Sequence, residues 1–352
     1  MTHPYRTQPA RAFWSRTVSK DFRAADTFAS RSPLLRSGDL VTSAGSCFAS
    51  NMVPFLEQNG FRYVRTETPH RAFPEFEADN FGYSNFSASY GHIYTSRQLA
   101  QLISRCTGKF IPVEDRWITA NSVLDPFRPG LRFPARSEIE FEALRRQHFA
   151  KTLEAFRTAD VFVFTLGLTE AWTSRADGAV FPACPGTIGG VFDPERHILH
   201  NFTVAEVVLD LNIAIESLRA INPTLRFILT VSPVPLVATA TNGHVLTASI
   251  YSKSVLRVAA EEIACTVKEV TYFPSYEIIT GPQAPYEFYE PDRRNVSQAG
   301  IQEVMAAFIA NCEKNDPSNS PAPAPAADYS RILSSLVVDA ECEELMSDRG
   351  TN

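Results

Sequence analysis

The stretch Leu40-Val41-Thr42-Ser43-Ala44-Gly45-Ser46-Cys47-Phe48-Ala49-Ser50-Asn51-Met52 decides how the rest of this chain is read. Up to Gly45 it is an apolar run suited to a short buried strand. Beyond it, Phe48, Met52, Phe55 and Leu56 form one apolar helix face, and Asn59-Gly60 closes the segment as a C-cap. Ser46 therefore falls at a strand-to-helix turn. A hydroxyl there stands at the carboxyl end of a strand with helix amides aimed at whatever binds, which suits a nucleophile whose product oxygen becomes an anion. The same position equally suits a serine that only caps a helix. Cys47 also has two readings, a thiolate stabilised at a helix N-terminus or a small buried hydrophobe.

Working outward, strand-like and helix-like segments alternate. Phe61 to Arg65 alternates as a second strand would, and Leu99, Leu102, Ile103 and Cys106 give a helical face over about residues 96–106. The aromatic stretch from Phe73 to Ser89 reads as a long loop, and the segment from Phe110 to Arg136 reads as an irregular insertion that walls the site. A helix over about 137–157 precedes Val161-Phe162-Val163-Phe164-Thr165-Leu166-Gly167, a continuous apolar run of the kind a central parallel strand needs. Its expected partner, Phe227 to Val231, is reached through a helix over 204–221. Further helices are expected over 249–264 and 297–311, with a strand at 270–273 between them. This alternation predicts an α/β fold of three layers, α/β/α, with a central mostly parallel sheet. Ligands in such sheets sit at the carboxyl ends of the strands. Ser46, Thr169, Glu170 and Ser232 all fall at such ends.

The composition sets bounds on function. The chain has 352 residues, 44% hydrophobic and 20% charged, enough to bury a sizeable core. A formal net charge of -6 with no cluster of lysine and arginine gives no footprint for nucleic acid. No apolar run reaches the roughly 18 residues of a membrane span, and Met1 to Arg6 lacks the apolar core of a signal peptide, so a cytoplasmic protein is the expectation. The six cysteines are scattered without a CxxC pair and read as reduced thiols. Gly186-Thr187-Ile188-Gly189-Gly190 fits neither GxGxxG nor GxxxxGK, so no nucleotide cofactor is expected. His197 and His200, in what reads as a loop, have a spacing that invites a metal, but no third ligand accompanies them and no metal is expected.

Six stretches in order resemble the GSCFA-domain family, whose name repeats Gly45-Ser46-Cys47-Phe48-Ala49. The others are Gly91 to Thr95, Phe164 to Glu170, Thr230 to Val234, Tyr251 to Ser254 and Phe273 to Glu277. That family is similar to the SGNH (GDSL-like) hydrolases. The resemblance implies an SGNH-hydrolase-like topology in which four blocks converge, with Ser46 as nucleophile, Gly91 as an oxyanion donor, and the Gly167-Leu168-Thr169-Glu170 turn as the third block. Thr169 stands where an SGNH enzyme has asparagine, and Glu170 where it has aspartate. The fourth block, an Asp-x-x-His, corresponds to Asp292-Arg293-Arg294-Asn295, so Asn295 replaces the histidine. General-base assistance is typically worth about 10²–10⁴ in rate, and another group would have to supply it. His244, in a loop leaving the same sheet edge, is the leading replacement, with His92 beside Gly91 as another. His148 falls within a helix and reads as a packing residue. Lys253 and Arg257, one helical turn apart, could present positive charge to the site and bind a carboxylate, a phosphate or a sugar acid.

These readings give a serine-dependent acyl-ester hydrolase or O-acyltransferase acting on a small-molecule or carbohydrate ester. The alternative from a different class is a catalytically silent SGNH-like binding protein. Four regions are expected: an N-terminal arm (1–37), the GSCFA domain (38–314), a Pro/Ala-rich linker (315–328), and a helical tail (329–352) that may meet a protein partner.

Overall fold

A computed structural model describes residues 3–30, 32–46, 49, 51–68, 86–131 and 134–313. The expected linker and tail, most of the aromatic loop from Phe73, and Cys47 lie outside the described residues. The strands are β1 (Leu40–Ala44), β2 (Arg62–Tyr63), β3 (Trp117–Ile118), β4 (Val123–Leu124), β5 (Val161–Leu166), β6 (Glu170–Ser174), β7 (Val180–Phe181), β8 (His197–Asn201), β9 (Arg226–Val231) and β10 (Val270–Tyr272). The helices are α1 (Trp14–Thr17), α2 (Met52–Gln58), α3 (Ser96–Cys106), α4 (Glu138–Thr158), α5 (Val204–Ile221), α6 (Val245–Thr266), α7 (Ser275–Thr280) and α8 (Gln298–Ala310).

Five strands pair in parallel in the order β10-β9-β5-β1-β2, so the expected three-layer α/β fold is the one adopted. Period-two alternation in β5 divides its side chains between two cores. Phe162, Phe164 and Leu166 pack with residues of α3, α5 and α6 such as Leu99, Leu211 and Leu256. Val161 and Val163 face the other way, against Met52, Leu56, Ile278, Val304 and Phe308 of α2, α7 and α8. A strand buried on both faces reads as a nearly continuous apolar run, and β5 is broken only by Thr165 near its end. Helix starts are fixed by side-chain caps: Thr95 and Thr203 each close a capping box, and Ser137 and Ser297 each accept from the backbone of the third residue onward.

Three features depart from the sequence reading. First, β6, β7 and β8 form an antiparallel sheet in the order β7-β6-β8, so Glu170 begins a strand and His197 and His200 lie in one, where a loop was expected. Their polar residues mask the strand period. Second, α6 starts at Val245, four residues before the expected start, because His244 caps it. Third, the 110–136 insertion carries the hairpin β3-β4, and Trp117 and Phe127 pack on Ala179 and Phe181. The N-terminal segment forms short turns, and Ala24, Leu34 and Leu35 enter the core beneath α8.

Candidate active site

The site is built where β1 and β5 end. Gly45 has φ +149°, and a Cβ there would lie 2.8 Å from both the Cβ and the carbonyl oxygen of Thr165 and 2.9 Å from the Cβ of Ala49. Only glycine lets the chain turn this tightly against β5. Ser46 follows, buried, and its carbonyl accepts the Ala49 amide at 2.8 Å. A strap from Gly91 to Thr95 then crosses both strand ends. The Ile93 amide donates to the Gly45 carbonyl at 2.9 Å, and the Gly167 and Leu168 amides donate to the Tyr94 carbonyl at 2.9 and 3.1 Å. The capping box at Thr95 ties this strap to the start of α3, so its position is set by a rigid helix. Gly91 itself has φ +69°, the conformation glycine tolerates best.

The third block folds inward. Thr169 is fully buried; its amide donates to Ser252 Oγ at 2.9 Å and its hydroxyl donates to Asn201 Oδ1 at 2.6 Å. Its hydroxyl is thus committed to Asn201, whose donor end, Nδ2, points away from Thr169. Asn201, unremarked in the sequence, is placed here because β8 pairs with β6 so that Asn201 opposes Glu170. Its signal was one residue of register in a strand that read as a loop. Glu170 accepts from the Thr239 hydroxyl at 2.8 and 3.0 Å and is only 9% exposed.

Lys253 is 4% exposed and donates from Nζ to the Gly167 carbonyl at 2.5 Å, bringing a cation to the carboxyl end of β5. Arg257 does not share that placement. Its guanidinium pairs with Glu277 at 2.5 Å and Glu261 at 2.8 Å and lies 4.0 Å over the Tyr272 ring, so Arg257 is engaged by carboxylates instead of being presented with Lys253 as expected.

The fourth block forms a compact turn beside the end of β9, where the Tyr289 hydroxyl donates to the Pro233 carbonyl at 3.2 Å. Asp292 Oδ1 accepts the amides of Arg294 and Asn295 at 2.9 and 3.0 Å, and Oδ2 accepts the Asn295 side-chain amide at 2.7 Å. Partial burial raises the Asp292 pKa, but these donors outweigh it and hold the carboxyl below its usual range. The Asp292 to Asn295 bond is the one a histidine at that position would make.

The histidines sit elsewhere. His244 is exposed, and its Nδ1 accepts the Leu246 amide at 3.1 Å as the cap of α6, which gives it a structural task in place of the catalytic one expected. His148 pairs with Glu67 at 2.7 Å, His197 with Glu114 at 3.1 Å and His200 with Glu206 at 2.7 Å. His92 is buried edge-on to Phe86, and its Nδ1 has no hydrogen-bond partner. Among the described residues no histidine is hydrogen-bonded to Ser46, and none of the groupings of His, Cys, Asp and Glu there could hold a metal ion.

Beside this edge opens a pocket of about 310 Å³, bounded by Tyr94, Leu168 and Glu170 on the site side. Residues 40–308 match the model of the GSCFA family. The chain belongs to that family. Among curated proteins none matches this GSCFA chain in sequence. Solved structures similar to it include one described as a platelet activating factor from Streptococcus pneumonia, 16% identical with TM-score 0.27, covering 45% of this chain and 65% of that one. An acetyl esterase bearing acetate is 11% identical with TM-score 0.34, covering 76% of this chain and 93% of its own. A carbohydrate esterase family 3 protein from Talaromyces cellulolyticus is 10% identical with TM-score 0.34, covering 77% and 94%. The chain spans just under two thirds of the first of these, and each name describes its own protein. No helix among the described residues of this GSCFA protein is long and apolar enough to cross a membrane.

Proposed function

We propose that this GSCFA protein is a serine-dependent acyl-ester hydrolase or O-acyltransferase with Ser46 as its nucleophile. The observation that carries the reading is the glycine-enforced turn at Gly45 and Ser46, clasped by the 91–94 strap to the end of β5, where Lys253 is anchored. Ser46 Oγ would bond to the ester carbonyl carbon, the alcohol would leave with the proton Ser46 gives up, and water or a second alcohol would resolve the acyl-enzyme. A carbohydrate as the alcohol half rests on the family resemblance. Lys253, anchored at the end of β5, is the proposed donor for the carbonyl oxygen as it gains charge. Asp292 is ready to orient a base, but Asn295 cannot accept the proton, so slow turnover is expected.

A second reading is favoured by one observation, the engagement of the described histidines in caps, carboxylate pairs and aromatic packing. It is a binding protein that keeps the pocket and lacks the base. Intact mass after incubation with a fluorophosphonate separates the two. One adduct on the wild type and on Cys47→Ala, absent from a folded Ser46→Ala, is the result expected for an activated serine. No adduct on the wild type would hand the assignment to the binding protein.

A further inference from the structure

The pocket beside the site has a composition of its own. Its walls are mostly carbon: Trp172 and Leu199, which pair across β6 and β8, with Leu168, Phe181, Leu236 and Val237. Its volume of about 310 Å³ falls within the roughly 300–1,000 Å³ usual for small-molecule sites. That is more room than an acetyl group needs and enough for an acyl chain of several carbons. It is continuous with the proposed catalytic edge, because Leu168 belongs to the turn after β5 and the Tyr94 carbonyl accepts the Leu168 amide at 3.1 Å. A sugar ring needs several donors and acceptors around it, whereas here the charged side chain is Glu170, already gripped by the Thr239 hydroxyl.

We propose that this pocket binds the acyl half of the ester, and that the protein selects a medium-length, uncharged, unbranched acyl chain ending in a methyl group. A chain ending in a carboxylate would have to bury its charge against carbon walls, with no cation among the described lining residues to receive it. The β6-β8 sheet and the loop after β9 are then the specificity elements, because they supply Trp172, Leu199, Leu236 and Val237. This inference rests on the hydrolase reading for its chemistry but not for its binding.

The test therefore has a catalytic arm and a binding arm. In the catalytic arm, kcat/KM for 4-nitrophenyl esters from acetate to decanoate is expected to rise about fourfold per methylene until the pocket is full, as burial of each methylene predicts. Val237→Trp, on a half-buried loop, should lower the ratio of octanoate to acetate kcat/KM at least tenfold. Ala171→Phe is the second blocking variant should Val237→Trp not fold. In the binding arm, calorimetry on Ser46→Ala is expected to give octanamide at least tenfold tighter than butyramide, with no binding of succinamate. Octanamide binding without turnover of any ester would uphold the pocket and overturn the hydrolase. Octanamide no tighter than butyramide, or a blocking variant that lowers acetate and octanoate alike, would overturn the pocket assignment.

Discussion

Two buried clusters of charge in this molecule are built on opposite plans. Beneath the strap, Arg128 pairs with Asp125 at 2.9 Å, Arg105 lies 3.8 Å from the same carboxylate and 3.8 Å over the Phe127 ring, and Glu67 joins His148 at 2.7 Å. Each arginine there faces the Asp125 carboxylate, and Glu67 meets the His148 ring. Burial raises the Asp125 and Glu67 pKa values, and burial lowers those of Arg105 and His148; for both acids the partners more than offset that effect and keep them ionised. At the sheet's carboxyl edge, Lys253 is equally buried but is anchored on a backbone carbonyl. A backbone carbonyl fixes where the ammonium sits without itself carrying a full charge. The first arrangement offsets buried charge with charge, and the second sets a buried ammonium at the end of β5.

Exchanging one cation in each cluster for methionine should give opposite signatures. Arg128→Met leaves the Asp125 carboxylate buried with Arg105 as its remaining partner, so it should cost about 3–5 kcal/mol in urea unfolding. Activity per folded molecule should be unchanged. Lys253→Met replaces a buried ammonium with an apolar chain of similar length. The unfolding midpoint should hold or rise, while kcat/KM falls about 10²–10³, the usual effect of losing one oxyanion donor. Equal loss of stability in both variants would break the comparison.

How far the sequence reached can be read from the same two regions. The turn at Gly45, the run of β5 and the helices α3 and α5 were legible because each has a period or a breaker that only one local structure satisfies. Ser46, Gly91 and the Asp292 turn were legible as motifs. What was not legible depended on partners distant in the chain. Thr169 could be placed in sequence only as the residue standing for an asparagine, because its commitment to Asn201 depends on the register of β8, and β8 is hidden by two histidines and an asparagine. His244 read as a base because a histidine before a helix can cap it or leave it, and only its exposure and the Leu246 amide decide. Lys253 and Arg257 looked equivalent because helical spacing gives a face but not the edge at which burial stops.

Restoring the histidine would sharpen the comparison from the catalytic side. In Asn295→His the ring can donate to Asp292 as the asparagine amide now does, at the place where Tyr289 docks the turn on Pro233. Turnover of a 4-nitrophenyl ester should rise at least tenfold, a modest share of what general-base assistance can give. Its pH profile should acquire a rise through about pH 6 to 7 that the wild type lacks. No rise in rate, with the fold intact by circular dichroism, would show that the turn is not aligned with Ser46.

The smallest effect comes from the insertion, where charge pairing continues to the surface. Burial raises the Asp115 pKa, but hydrogen bonds from Arg116 and Arg145 outweigh it and leave the group at about 2. Both arginines also pair with Glu142. An unfolded aspartate titrates near 3.9, so the folded value is the lower one. The stabilisation is then complete above about pH 4 and disappears as the pH falls through the folded value. The difference is worth about 2 kcal/mol. Hydrogen exchange of the β3-β4 hairpin should therefore quicken between pH 4 and 2 beyond its intrinsic pH dependence, and Asp115→Asn should abolish that extra acceleration. The exchange of β1 and β5 should follow global stability alone, because the strap holds their ends by backbone hydrogen bonds, whose groups do not titrate in that range. An acid response of equal size at both places would mean that the two clusters open together, and that the edge carrying Ser46 is held by the same ion pairs as the insertion.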